Sequence, residues 1–323
     1  MKTIGVLTSG GDSPGMNAAI RSVFKTARNK GLECIGIRRG YQGMIEGDMK
    51  LLTSQDVKQI IHLGGTFLNT ARSQEFMTEE GRKKAYQNLT KHAIDGLVII
   101  GGDGSFKGAM TLSKECNIPV IGLPGTIDND IYGTDNTIGY DTALNTAMEA
   151  IDKIRDTANS HERLFFVEVM GRDAGFIALS SGIASAALDI FVQESNDDIP
   201  NFLENLRKGA EFGKISNIIV VAEGNKENDI YKLADITKEH YPNYDVRISI
   251  LGHIQRGGSP TCSDRVLASR LGVAAVEGLI DGKRSVMAGL KANKVVYTPF
   301  EDAIKKRNHL DADLLKVANI LSI

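Results

Sequence analysis

Short apolar runs recur along this chain, and each ends in a loop rich in glycine and charged residues. The runs cover residues 4–8, 97–100, 120–123, 164–169, 218–222 and 248–251. Continuous apolar runs of this length favour strands that are buried on both faces of a parallel sheet. Stretches with helical spacing lie between them, as in 17–30, where Asn17 or Ser13 could cap the start and Gly31 could close the end. The alternation predicts an α/β fold whose largely parallel sheets are flanked by helices.

The loops that follow these strands are the first indication of a binding site. Right-handed crossovers place the carboxyl ends of parallel strands along one edge, and ligands bind there. We therefore expect the six glycine-rich loops to form a site for a small molecule.

Length and composition exclude several classes of protein. The 323 residues suggest two domains, and 42% hydrophobic with 24% charged residues is typical of a globular chain rather than a disordered one. A net charge of −2 does not favour binding to nucleic acid by bulk charge. The three cysteines lack zinc-site or disulfide spacing, and neither a signal peptide nor a membrane-spanning run is evident. A cytoplasmic location is the expectation.

Two of the loops carry carboxylates in settings suited to phosphate chemistry. In 101–105, three glycines surround Asp103, so that backbone N–H groups can meet phosphate oxygens while the carboxylate holds Mg²⁺ directly or through water. The alternative is a turn in which Asp103 caps the next helix. In 126–130, Asp128 and Asp130 flank Asn129, and one of them could accept a proton from a substrate hydroxyl. An Asx-rich turn is the alternative there.

Positive side chains follow in the second half of the chain. Arginine binds phosphate through paired hydrogen bonds, although a single arginine is more often part of a surface ion pair. We expect five of these groups to lie in loops at strand ends: Arg163, Arg172, Arg247, His253 and Arg256. The chain thus offers an acidic, glycine-rich end for a metal-bound polyphosphate and a basic end for a phosphorylated acceptor.

The ordered motifs SGGDSPGMNA, GGDGS, PGTIDND, MGRDAG, VAEG and LGHIQRGGSP resemble those of the bacterial ATP-dependent 6-phosphofructokinases. The resemblance covers nearly the whole chain. It implies Mg²⁺-dependent transfer of the γ-phosphoryl group of ATP to the 1-hydroxyl of fructose 6-phosphate in glycolysis. It also implies a homotetramer and two α/β domains. The ATP domain would comprise 1–139 and 255–308, and the fructose 6-phosphate domain 140–254 and 309–323.

The resemblance also implies roles for individual residues. Asp128 is the expected general base, with Thr126 and Asp130 beside it, and Arg172 the expected stabiliser of the transferring group. Arg163 and Arg247 match positions that reach in from an adjacent subunit. The expected nucleotide side comprises Gly11, Tyr41, Arg72, Gly102, Asp103, Gly104, Ser105 and Gly108, with Asp103 on Mg²⁺. The expected sugar-phosphate side comprises Thr126, Arg163, Met170, Gly171, Arg172, Glu223, Arg247, His253 and Arg256.

Two positions favour ATP over pyrophosphate as the donor. Pyrophosphate-using relatives resemble GGDD and PKTIDND where this chain has Gly104 and Gly125, and the bulkier groups crowd out the nucleotide. Met77 departs from the family, because it stands where a basic residue near ATP is usual. We expect this change to weaken nucleotide affinity modestly.

The expected effector site differs more from the family. Arg21, Lys25, Arg155 and Lys214 match or resemble its basic residues. Ser54 replaces an arginine, Ser216 replaces a histidine, and 186–188 replace a Gly-Ala-Glu run that meets a magnesium-bound effector. Charge-assisted bonds are lost with these groups, so we expect regulation by phosphoenolpyruvate and ADP to be weak or absent.

Three other functions fit part of the sequence. A GGDG-type kinase for NAD or a lipid shares the loop at 101–104 but not the later motifs. A pyrophosphate-dependent phosphofructokinase is disfavoured by the two glycines. A nucleotide sensor that lost its chemistry would not need Asp103, Asp128 and Arg172 together.

Overall fold

A computed structural model describes residues 1–161, 163–194, 199–211, 217–225 and 229–321. The chain divides into two compact units. The first comprises 1–127, 131–142 and 256–308, and the second comprises 128–130, 143–255 and 309–323. Both units combine helices with largely parallel sheets, which confirms the predicted α/β class with two domains. The functional borders expected from the resemblance stay a prediction.

The first unit is built on a seven-stranded sheet in the order β11-β10-β5-β4-β1-β2-β3. Its strands are β1 (Thr3–Thr8), β2 (Glu33–Ile37), β3 (Met49–Leu51), β4 (Gly96–Gly101), β5 (Val120–Pro124), β10 (Val286–Lys291) and β11 (Lys294–Pro299). Its helices are α1 (Met16–Asn29), α2 (Gly40–Glu46), α3 (Glu79–Lys91), α4 (Asp103–Cys116), α9 (Cys262–Ile280) and α10 (Phe300–Lys305). The helix α5 (Tyr140–His161) begins in this unit and continues into the second.

Buried side chains cover both faces of this sheet. One core joins Ile4 and Val6 to α1 and α9, and the other joins Leu7 and Ile99 to the side of α2, α3 and α4. The central strands β1, β4 and β5 are parallel and buried throughout, as their apolar runs predict. The edge pairs β2–β3 and β10–β11 are antiparallel, which the sequence pattern did not indicate.

The second unit has a four-stranded parallel sheet in the order β7-β8-β6-β9. Its strands are β6 (Arg163–Val169), β7 (Asp189–Phe191), β8 (Asn217–Ala222) and β9 (Asp245–Ile250). Its further helices are α6 (Phe176–Ala184), α7 (Ile199–Glu211), α8 (Ile230–His240) and α11 (Ala312–Leu321). Phe166 and Val221 pack on one face against α7 and α8, whereas the edge strand β9 is only partly buried. The expectation that 248–251 form a strand buried on both faces was therefore wrong.

The start of α1 corrects a second expectation. The helix is capped by Gly15, with no side-chain cap, and Asn17 lies inside it. The Asn17 amide instead donates to the carbonyl oxygens of Leu63 and Gly64. At the other end, Gly31 adopts φ +75° after the C-cap Lys30, which confirms its predicted closing role.

Candidate active site

The six glycine-rich loops are divided between the two sheets, three on each. In the first unit they follow β1, β4 and β5, and in the second they follow β6, β8 and β9. The expectation of a single sheet edge was therefore wrong, although each set of three lies at the carboxyl edge of its own sheet. In the first unit the chain order reverses between β1 and β4, which is where open α/β sheets bind ligands.

The loops after β1 and β4 lie directly against each other. The N–H group of Ser9 donates to the Ile100 carbonyl at 2.9 Å. A Cβ atom on Gly101 would stand 2.4 Å from the Ser9 carbonyl oxygen, so only glycine fits between these two backbones. The left-handed φ of +88° at Gly10 turns the first loop away from its strand. The two loops thus form one continuous surface lined by Gly10, Gly11, Gly101 and Gly102, which we call the glycine floor.

Open space lies above this floor at the start of α4. A Cβ atom built on Gly102 or on Gly104 would have no atom of the described residues within 4 Å. The N-cap of α4 is Gly102 and makes no side-chain cap, so Asp103 is the first residue of the helix and the capping alternative is wrong. A helix N-terminus with room beside it suits phosphate oxygens. One carboxylate there fits Mg²⁺, which takes a few protein oxygens and otherwise water and phosphate.

An aromatic wall borders the same helix. The Tyr41 ring is buried, and its hydroxyl donates to the Ser105 carbonyl. Burial raises the pKa of this hydroxyl, so it stays a proton donor at neutral pH. The Phe76 ring stacks on Tyr41 with centroids 3.9 Å apart, and Gly108 leaves room for the Tyr41 ring, which a Cβ would approach to 3.0 Å. These contacts fix a buried aromatic pair beside the predicted nucleotide loops.

The predicted nucleotide residue Arg72 and the family departure Met77 lie close in sequence to Phe76, and both are exposed. Arg72 is exposed, and Met77 is 75% exposed at the end of the 3₁₀ turn Glu75–Met77. An exposed methionine at that position offers apolar area and no charge, as expected for a departure from the family pattern.

The loop after β5 is buried. Thr126, Asp128 and Asp130 are each less than a tenth exposed, and Asn129 between them has a left-handed φ of +55°. The Thr137 hydroxyl donates to the Thr126 carbonyl at 2.7 Å. The carboxylates are thus presented by a well-anchored backbone, with Asp128–Asp130 grouped with the second unit by their contacts.

Arg256 lies beside the β1 loop. Its Nη1 donates to the Asp12 carbonyl at 3.2 Å, and a Cβ on Gly11 would stand 2.6 Å from the same nitrogen. A side chain at position 11 would therefore have to displace the guanidinium that lies against Gly11. A predicted sugar-phosphate residue and a predicted nucleotide residue are in contact within the first unit.

In the second unit, the loop after β6 is held by two side chains from other strand ends. The Glu223 carboxylate accepts the N–H groups of Gly171 at 3.3 Å and Arg172 at 2.8 Å. The Oε1 atom of the fully buried Gln255 accepts the Met170 N–H at 2.9 Å. Arg172 has a left-handed φ of +58°, which is strained for a residue with a side chain. Its guanidinium is well exposed, so the strain presents a charge to whatever binds at this edge.

Arg163 and Arg247 lie within strands β6 and β9, away from the loops at the carboxyl ends of those strands. Arg163 begins β6 and binds Asp245 at 2.8 Å, and Arg247 binds the same carboxylate at 3.0 Å. The two arginines hold the pKa of Asp245 below its usual range. Because Arg163 lies at the amino end of β6, it is about 20 Å along the strand from Met170 at the other end. The expectation that both lie in loops at the carboxyl ends of strands was wrong, whereas His253 does lie after β9, where it is exposed.

The described residues hold no group of three or more potential metal-ligating His, Cys, Asp or Glu side chains. Nor does any described helix combine the length and apolarity needed to cross a membrane. The most specific chemistry among the described residues is therefore a glycine-lined helix N-terminus with one carboxylate, and a separate loop that presents arginine.

Comparison with known proteins identifies this arrangement. The phosphofructokinase family model matches residues 3–279. This chain belongs to the phosphofructokinase family.

Individual relatives agree along the full length. The chain is 54% identical to ATP-dependent 6-phosphofructokinase 2 of Bacteroides thetaiotaomicron, over all of this chain and 99% of that protein. It is 56% identical to ATP-dependent 6-phosphofructokinase 1 of Thermus thermophilus, over the whole of both. The solved phosphofructokinase of Saccharomyces cerevisiae superimposes with a TM-score of 0.91 at 32% identity, over 99% of this chain and 49% of that one. This chain thus spans about half of the yeast chain.

The residues expected at the family's effector site are only partly described. Arg21 and Lys25 lie one turn apart on α1, and the Ser54 hydroxyl accepts a hydrogen bond from Arg28 at 2.8 Å. Lys214 and Ser216 lie outside the described residues.

The other effector residues lie in the second unit. The Arg155 side chain donates to the Ser185 carbonyl, and burial lowers its pKa. Ala187 and Leu188 are buried, so the segment that replaces the family's Gly-Ala-Glu run packs inward.

Sequence reasoning missed two residues that position the site. Phe76 completes the aromatic wall, but nothing in its local sequence separates it from an ordinary core phenylalanine. Gln255 lies inside the LGHIQRGGSP motif, so its position among the polar residues that follow a strand could have identified it.

Proposed function

We propose that this phosphofructokinase is the ATP-dependent 6-phosphofructokinase, which transfers the γ-phosphoryl group of ATP to the 1-hydroxyl of fructose 6-phosphate. The observation that carries the proposal is the open space at Gly102 and Gly104 beside Asp103, in a chain that is 54–56% identical to enzymes named for this reaction. The products are ADP and fructose 1,6-bisphosphate.

The donor side uses the first unit. The polyphosphate lies over the glycine floor at the N-terminus of α4, where the helix dipole and backbone N–H groups favour its charge. Asp103 would hold Mg²⁺, which neutralises charge on the β- and γ-oxygens. Tyr41 is assigned to the nucleoside side, where it is held by stacking on the buried Phe76. Gly11, Arg72, Ser105 and Gly108 complete this side.

The acceptor side supplies the base. Asp128 takes the proton of the 1-hydroxyl as that oxygen bonds to the γ-phosphorus and the bond to the β–γ bridging oxygen breaks. Thr126 and Asp130 hold the loop, and the exposed guanidinium of Arg172 stabilises charge on the transferring group. Met170, Gly171, Glu223, His253 and Arg256 are assigned to fructose 6-phosphate.

Arg163 and Arg247 are assigned to the site of a neighbouring subunit. Their place at the amino end of the second sheet, away from the Gly171 loop of the same chain, supports this assignment. The assignment requires an oligomer, which we propose to be a homotetramer, and gel filtration tests it. A cytoplasmic location is part of the same proposal.

Space at the donor site favours ATP over pyrophosphate. No atom of the described residues lies within 4 Å of a Cβ built on Gly104, whereas a Cβ on Gly125 would meet Met16 at 2.9 Å and Ile100 at 3.0 Å. A bulkier residue at 125 would therefore displace the core under the loop.

The direct test is a coupled assay of ADP release with Mg²⁺ and ATP, with fructose 6-phosphate first present and then omitted. We expect release that depends on the sugar phosphate, and none when pyrophosphate replaces ATP. Equal ADP release without the sugar would contradict the proposal, and activity with pyrophosphate alone would assign the chain to the other donor class.

Regulation is proposed to be weak. The buried Ala187 and Leu188 offer no carboxylate to a magnesium-bound effector. Initial rates with and without millimolar phosphoenolpyruvate should differ by less than twofold, and a strongly sigmoidal response to fructose 6-phosphate would contradict this part.

A further inference from the structure

One guanidinium joins the turn that carries Phe76 to the helix that carries Asp103. Arg82 of α3 donates from Nε and Nη2 to the two carboxylate oxygens of Glu115, at 2.6 and 2.7 Å. Its Nη1 donates to the carbonyl oxygens of Phe76 at 3.0 Å and Met77 at 2.8 Å. A single side chain therefore makes four hydrogen bonds to two separate segments.

This ion pair differs from its neighbours on α3 in how well it is shielded. The Arg82 side chain is 12% exposed and that of Glu115 34%, whereas Lys83 and Glu79 form a pair in which both are 67% exposed. Paired hydrogen bonds from the planar guanidinium fix direction as well as distance. Arg82 holds the pKa of Glu115 below its usual range, so the pair is ionised at neutral pH. A shielded pair of this kind can fix the relative positions of the two segments that it joins, whereas an exposed pair contributes little.

The contacts close into a ring. Glu115 lies in the last turn of α4, and Arg82 connects it to the turn Glu75–Met77. From that turn the Phe76 ring stacks on Tyr41, and the Tyr41 hydroxyl returns to α4 at the Ser105 carbonyl. Both ends of α4 are therefore tied to the aromatic wall, one through Tyr41 and the other through Arg82.

We propose that the Arg82–Glu115 pair is a positioning clamp that fixes the Tyr41–Phe76 wall and Met77 against α4, and so sets affinity for the nucleoside part of the donor. The inference rests on the proposed use of ATP. Without the clamp, the turn must be ordered when the nucleotide binds, and that cost lowers affinity. Arg82 meets α4 at Glu115, in the last turn and far from Asp103 in the first, and the sugar-phosphate loop is not part of the ring, so we expect turnover to be unaffected.

The test is Glu115→Gln, which keeps the shape of the side chain and removes its charge. We expect KM for ATP to rise about fivefold, with kcat and KM for fructose 6-phosphate within twofold of wild type. Arg82→Lys keeps the charge but cannot make four bonds, and it should give the same split. The double variant should show no more than the larger single effect, because the two residues act as one unit.

Inorganic tripolyphosphate, a competitor without a nucleoside, separates positioning from general damage. Its inhibition constant should stay within twofold in Glu115→Gln, while that of ADP rises with KM for ATP. Glu79→Gln breaks the exposed pair on the same helix and should change none of these constants. Thermal melts show whether each variant is folded. If Arg82→Lys is unfolded, the kinetics of Glu115→Gln alone decide the test.

Two results would overturn the clamp. One is an unchanged KM for ATP in Glu115→Gln. The other is an equal loss for tripolyphosphate, for fructose 6-phosphate or in kcat, which would indicate a structural role alone. Wild-type enzyme that fails to phosphorylate fructose 6-phosphate with ATP would instead contradict the proposed function.

Discussion

The two sets of strand-end loops achieve selectivity by different physical means. In the first unit, Gly102 and Gly104 leave space at a helix N-terminus, and the wall around it is held by stacking and buried hydrogen bonds. In the second unit, Glu223 orients the backbone and Arg172 is held in a strained conformation that presents charge. Under the proposed function, the first site selects its ligand by available space and the second by the placement of charge. Added bulk should therefore damage the first, and loss of a carboxylate the second.

The largest expected effect is at the loop that follows β5. Asp128→Ser removes the proposed base, and kcat should fall about 10²–10⁴-fold, as is typical of lost proton transfer. Both KM values should stay within a few-fold because the loop backbone is anchored independently at Thr126. Steady-state kinetics with a matched thermal melt measure this, and a loss in kcat of less than tenfold would remove Asp128 from the role of base.

The second-largest effect is expected from replacing Glu223, and it should be confined to the second unit. Glu223→Ala leaves the N–H groups of Gly171 and Arg172 without their acceptor, and KM for fructose 6-phosphate should rise about 10–100-fold. KM for ATP should stay within twofold. Glu194→Ala is the matched control, since Glu194 likewise accepts a backbone N–H, from Gly175 at 2.9 Å. If the control raised KM for the sugar phosphate as much, the special role of Glu223 would be lost.

A smaller effect should be confined to the first unit. Gly104→Ala places a methyl group in the open space, so KM for ATP should rise about tenfold while KM for fructose 6-phosphate is unchanged. Alanine also favours helix over glycine by up to about 1 kcal/mol, so the melting temperature should rise rather than fall. Unchanged KM for ATP with higher stability would show that the space is not used by the donor.

The smallest effect concerns pH and stability in the second unit. Glu168, on β6, is half-buried, and burial followed by the charges of Glu223 and Asp229 raises its pKa above the ordinary 4.5. The folded state therefore holds this proton more tightly than the unfolded state, and stability is lost as pH rises through that raised pKa. Glu168→Gln removes the penalty, so its melting temperature at pH 8 should exceed that of wild type by about 1–3 °C.

The Glu168→Gln gain should vanish near pH 4, where the wild-type carboxyl is protonated in both states. Glu149→Gln is the control, because Glu149 is exposed and its pKa is lowered by Lys153. A control gain of the same size, or a Glu168→Gln gain that persists at low pH, would contradict the account.

The sequence allowed most of the parallel strands that are buried on both faces to be predicted, although it missed β2. Continuous runs such as 97–100 are unambiguous because no polar side chain must face water. The same rule missed the edge strand β3 and predicted the wrong burial for β9, since both strands are partly exposed. Likewise Asn17 looked like a cap, because a sequence shows a favourable side chain and not the distant carbonyl oxygens at 63 and 64 that it binds.

The residues of the candidate site were likewise predictable where their role is local in sequence, and not where it depends on a distant partner. Motif glycines and carboxylates were named from the sequence because their chemistry is local to one loop. The clamp between Arg82 and Glu115 was not, since the two residues are 33 positions apart and each belongs to an ordinary charged helix. The place of Arg163 at the start of its strand was also missed, because the apolar run begins one residue later.

The most direct test of the account is ³¹P NMR of a reaction with Mg²⁺, ATP and fructose 6-phosphate. The account predicts one new phosphate monoester, on C1 of the sugar, that appears in equal amount with ADP and forms at least about a hundredfold more slowly when Asp128 is replaced by Ser. Phosphate released to water, or a monoester at another hydroxyl, would contradict the claim that the glycine floor and the Asp128 loop serve a single transfer.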